Sequence, residues 1–127
     1  MENSPLRVTS ETALVIDQLE VTFAYTVAGG TAIASLKIKQ LGANTPVTLS
    51  VANPSWFTLS QSMNGSAFVS SLSLIPAPEG SLVYIRYTPR SARGHRTFLM
   101  VTTPYEVQTV LLKGVPAGLA NWFHLPG

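Results

Sequence analysis

The chain has 127 residues, 46% of them hydrophobic and only 11% charged, with a net charge of +2 and no cysteine. That length fits one domain with a core of useful size. Low charge with high hydrophobicity argues against disorder. The missing cysteine removes disulfides, a thiol nucleophile and thiolate metal sites, and so small a net charge gives no reason to expect nucleic acid as a partner. No apolar run approaches the roughly 20 residues of a membrane helix, so membrane insertion is not expected.

In chain order, Met1-Glu2-Asn3-Ser4-Pro5 lacks the basic and apolar regions of an export signal. The chain is therefore expected to be either cytoplasmic or a piece of a longer protein. A first strand is predicted near Leu6 to Thr9. Leu19, Val21, Phe23 and Tyr25 alternate with Glu20, Thr22 and Ala24, and Gly29-Gly30 closes that segment. Next, Ala34, Leu36, Ile38 and Gln40 alternate with Ile33, Ser35, Lys37 and Lys39. The first of these two sets should face the core and the lysines water.

Val47 to Val51 forms a strand between Thr45-Pro46 and Asn53-Pro54, and Trp56 to Ser60 follows. Asn64-Gly65 is a hairpin signal. Further strands are predicted over Phe68 to Leu74, Leu82 to Thr88, Arg96 to Thr103 and Glu106 to Leu112, each closed by Pro or Gly. Turn residues thus recur roughly every 8–12 positions without a convincing helix, the pattern of an all-β sandwich or barrel. Alternation assigns Phe23, Leu36, Ile38, Leu49, Phe57, Leu72, Ile85, Phe98, Val110 and Leu112 to the core. A one-residue slip in the Leu82 to Thr88 register would exchange the two faces of that strand.

Several segments together resemble an immunoglobulin-like repeat of secreted and surface proteins from Bacteroidetes-type bacteria, in the style of ASPM–SPD-2–hydin domains. They are Val27 to Gly30, Gln40-Leu41-Gly42, Val47 to Val51, Pro54 to Ser60, Phe68 to Leu74, Tyr84-Ile85-Arg86-Tyr87-Thr88-Pro89 and Leu111 to Gly114. Trp56 and Thr58 depart from the repeat, which has Gly and an acidic residue there. The resemblance implies an antiparallel immunoglobulin-like β-sandwich of about seven to nine strands over residues 1–118. Residues 119–127 would be a C-terminal tail or a linker to a following domain. It also implies a structural or spacer module of a larger exported or cell-surface protein, partnered by neighbouring domains. The rival expectation is an adhesion module that binds carbohydrate or another surface polymer.

The chemistry-bearing residues are sparse. The carboxylates Glu2, Glu11, Asp17, Glu20, Glu79 and Glu106 are scattered, whereas paired-acid catalysis needs two within roughly 10 Å. His95 and His124 sit in no nucleophile motif, and two distant histidines make no zinc site. No enzyme, metal or cofactor is therefore expected. Two binding candidates remain. Arg90, Arg93, His95 and Arg96 form a basic loop that could hold a phosphate or sulfated sugar, against the plain reading of a solvated turn. Trp56, Tyr84, Tyr105 and Trp122 could stack on a sugar if exposed together, against the plain reading of Trp56 as core or edge packing. Leu119-Ala120-Asn121-Trp122-Phe123-His124-Leu125 is too apolar for a flexible linker and is expected to pack on a surface, either its own sandwich or the next domain of the parent, against the plain reading of a frayed end.

Overall fold

A computed structural model describes residues 14–26, 29–42, 44–62, 68–90 and 94–116. The expected strand at Leu6 to Thr9, the Asn64-Gly65 hairpin and the 119–127 segment lie outside these residues.

Among the described residues nine strands follow in order: β1 (Leu14–Ile16), β2 (Glu20–Thr26), β3 (Ala32–Gln40), β4 (Val47–Val51), β5 (Phe57–Ser60), β6 (Ser71–Leu74), β7 (Ser81–Tyr87), β8 (His95–Thr102) and β9 (Val107–Pro116). They form two sheets, β1-β3-β7-β5 and β2-β9-β8-β4-β6. Period-two alternation makes one side of each sheet apolar, and the two apolar sides bury each other. The chain is an all-β, immunoglobulin-like sandwich. Among the described pairings only β2 with β9 is parallel. It zips the first long strand to the last.

The core follows the alternation in most strands. Phe23, Leu36, Ile38, Leu49, Phe57, Ile85, Val110 and Leu112 are buried, and Leu72 packs half-buried against them. Along β3, Lys37 is exposed while Leu36 and Ile38 are fully buried. Gly29 sits at φ +85° in the β2–β3 turn, a conformation that L side chains seldom adopt.

Phe98 corrects the expected core. It is 50% exposed, and the inward residues of β8 are His95, Thr97, Leu99 and Val101. Both faces of this strand carry apolar residues, so alternation alone permits two registers. The register with His95 and Thr97 inside prevails because both find buried partners. Thr97 Oγ1 accepts the Asn53 N–H at 3.0 Å, and His95 meets Tyr87. Strand β9 also runs past the expected stop at Gly114 as far as Pro116.

Candidate functional site

The described basic residues do not gather. Arg90 is exposed just past the end of β7, and Arg96 is exposed on the outer face of the five-stranded sheet. There it stands directly across from Lys113, which pairs with Glu20 at 3.0 Å. Exposed pairs of this kind contribute little to stability. Arg86 lies on the outer face of the other sheet, its guanidinium 4.4 Å from the Phe68 ring centroid. Its Nε is buried with no partner among the described groups. Arg93 lies outside the described residues.

His95 is the residue whose position differs most from its sequence reading. It opens β8 and points inward, 8% exposed. Its Nδ1 is 2.7 Å from the Tyr87 hydroxyl. If Tyr87 donates, the ring proton of neutral His95 sits on Nε2. Burial lowers the His95 pKa from its usual value and pushes Tyr87 up to about 12. Both shifts favour the uncharged forms, as desolvation requires.

Around this pair the large rings close one end of the sandwich. Trp56 is half-buried, with its ring centroid 4.2 Å from that of His95. Tyr87 stacks on Phe57 at 5.0 Å, and Phe23 tilts against both at 5.8 and 5.6 Å. Across the β8–β9 ladder, His95 pairs with Gly114. A Cβ at Gly114 would run into the Tyr87 ring, so this glycine serves a close approach. An isolated Gly inside a strand is the sequence signal for such contact. Chemically the cluster is a hydrogen-bonded aromatic plug. Among the described residues no carboxylate bonds to His95 as a triad acid would.

The candidate stacking aromatics are also dispersed. Trp56 belongs to the plug. Tyr84 is half-buried on the outer face of the four-stranded sheet, across from Ser35 and Ser60. It lines an open groove of about 630 Å³ with Gln61, Glu79 and Leu82. Tyr105, 60% exposed, lies in the β8–β9 turn, at the opposite end from His95. Strand β8 rises about 3.3 Å per residue, so Tyr105 and Trp56 are roughly 20 Å or more apart. Trp122 lies outside the described residues.

Two carboxylates turn out to organise backbone. Glu106 accepts the Leu14 N–H at 2.6 Å and the Gln108 side-chain amide at 3.2 Å. The same amide donates to the Leu14 carbonyl at 2.7 Å. Together they tie β1 of one sheet to β9 of the other. Asp17 accepts the Lys37 N–H at 3.0 Å and fixes the turn after β1. Among the described residues no three of His, Asp and Glu come close enough together to hold a metal ion, and no helix is long and apolar enough to cross a membrane.

No protein-family model matches the chain, and no curated protein matches it in sequence. Solved structures match it in shape. An ASH/PapD-like domain of human CEP192 (PapD-like domain 7) aligns with a TM-score of 0.55 at 16% identity, over 84% of this chain and 86% of that one. A conjugative transposon lipoprotein from Bacteroides eggerthii aligns with a TM-score of 0.53 at 15% identity, over 82% and 96% of the two chains. At such identities these likenesses show a shared sandwich fold and nothing more specific.

Proposed function

We propose that the chain is a non-catalytic structural module, a spacer within a larger bacterial protein that is secreted or displayed at the cell surface. Its partners are then the neighbouring domains of that protein. The observation that carries this reading is the dispersal of the described aromatics Trp56, Tyr84 and Tyr105. A sugar-binding module needs its rings on one exposed surface. Here Trp56 is spent in packing against His95, Tyr84 lies on the outer face of the four-stranded sheet and Tyr105 in the β8–β9 turn. The basic residues are divided in the same way between two outer faces. Likeness in fold to a Bacteroides lipoprotein agrees with an exported setting, as does the sequence resemblance to surface repeats.

The rival reading, a carbohydrate-binding adhesion module, draws on the groove beside Tyr84. Affinity electrophoresis through gels containing a panel of soluble polysaccharides separates the two. The spacer reading expects equal mobility in every gel. Retardation that disappears in Tyr84→Ala would replace it with the binding reading.

A further inference from the structure

The two outer faces of the sandwich treat their apolar residues differently. On the four-stranded sheet each exposed aliphatic stands across from a cation. Val15 faces Lys39, Ile33 faces Arg86 and Leu82 faces Lys37. Long basic side chains cover apolar neighbours with their methylene stems while keeping the charge in water. Lys37 and Lys39 are placed to do this, while Arg86 lays its guanidinium against Phe68.

The five-stranded sheet lacks this device at its centre. Phe98, 50% exposed, stands directly across from Leu111. The next rung pairs Met100 with Thr109, and Ser50 flanks Met100 on the other side. Val107, 55% exposed, follows opposite Thr102. The Met100–Thr109 and Thr102–Val107 rungs carry no charge; Glu20 of β2 stands beside Leu111 and pairs with Lys113, which with Arg96 forms the next rung beyond Phe98. Contiguous apolar surface with a charged rim marks a contact site, unlike aliphatics scattered singly.

We propose that this face seats the chain's own C-terminal segment, residues 119–127. Strand β9 belongs to the same sheet and ends at Pro116, so the segment starts beside the face it would cover. Trp122, six residues beyond Pro116, reaches up to about 20 Å from it at the span of an extended chain. Leu111, five residues back along β9, is about 17 Å away. A reversal after Pro116 therefore brings Trp122 and Phe123 over Leu111 and Phe98. The segment holds Leu119, Trp122, Phe123 and Leu125 and no Asp, Glu, Lys or Arg. Its uncharged, apolar composition suits the exposed Phe98, Met100 and Val107 that it would meet.

The absence of native cysteine permits a direct test in the full chain. Met100→Cys with Phe123→Cys should form an intrachain disulfide under mild oxidation, at a yield independent of protein concentration. Val15→Cys with Phe123→Cys, on the opposite sheet, should not. Equal yields from the two pairs, no bond in either, or a bond only between two chains would overturn the proposal. The last result would assign the face to a second copy. Coupling gives a second reading. Phe98→Ser should lower the melting temperature of the full chain by about 3–5 °C, given the scaling for a domain of this size. In a Trp122→Ser/Phe123→Ser background the same change should shift it by less than about 1 °C. Equal shifts in both backgrounds would refute docking.

Discussion

Replacing Gly114 with Ala adds one methyl group at the most crowded point of the plug. On propensity alone the change should help, because Gly inside a strand costs roughly 0.5–1 kcal/mol relative to Ala. Gly114 has no positive φ to protect. The opposing cost is steric, since the new Cβ would meet the Tyr87 ring. That ring is fully buried, tied to His95 at 2.7 Å and stacked on Phe57, so it has little room to retreat. Overpacking of this kind costs typically 1–3 kcal/mol, and the upper end applies where the obstacle is a pinned ring. The expected net loss is about 2 kcal/mol, read from urea denaturation with an unchanged m-value. Tyr87→Leu should be less stable than the parent, yet Gly114→Ala added to it should cost under about 0.5 kcal/mol. A neutral or stabilising Gly114→Ala in the parent would show that the strands are not pressed together as described.

The remaining predictions draw on the same interior and on the loop. Phe57→Ala should cost about 3–5 kcal/mol in chemical denaturation, the usual cost of removing a buried ring, and a loss under about 1 kcal/mol would place Phe57 outside the core. Acid should destabilise the fold. The lowered pKa of His95 in the folded state means the unfolded chain binds a proton first, so stability present above about pH 6.5 falls as the pH drops toward the folded value. His95→Gln should flatten that part of the stability profile, and an unchanged slope would contradict the burial of His95. Alkali acts through Tyr87 with the opposite order. Stability is complete below pH 10 and is lost as the pH rises toward about 12, by roughly 3 kcal/mol at 1.36 kcal/mol per pH unit. Tyr87→Phe should remove that loss. Heparin binding by the Arg90 to Arg96 region should vanish at physiological salt, where exposed charges are screened over about 8 Å. Sub-micromolar affinity there would promote a binding role.

The sequence pattern carried most of the fold. The alternation predicts strand β4 over Val47 to Val51, where it lies, and it identifies the inward set of β3 because two lysines break the symmetry between faces. Where that asymmetry is lacking, the pattern is silent. Strand β8 has Leu99 and Val101 on one side and Phe98 and Met100 on the other. Only tertiary partners for Thr97 and His95 choose between them. The parallel contact of β2 with β9 joins residues about ninety positions apart, which local propensity does not encode. The candidate site was less legible still. Arg90, His95 and Arg96 are close in sequence, but a strand sends successive side chains to opposite faces. Closeness in sequence therefore separated His95 from Arg96 in space. In sequence Gly114 reads as a strand stop, whereas its role is set by the Tyr87 ring packed against it.

The central claim, a spacer within a larger protein, is tested most directly by small-angle X-ray scattering on the multidomain parent with and without this module. A sandwich whose longest strand has 10 residues spans roughly 30 Å along its strands at about 3.3 Å per residue. Removing it should shorten the maximum dimension by a comparable length, with ligand binding by the remaining domains unchanged. An unaltered dimension together with loss of polysaccharide binding would contradict the spacer reading and make the module the binding element itself.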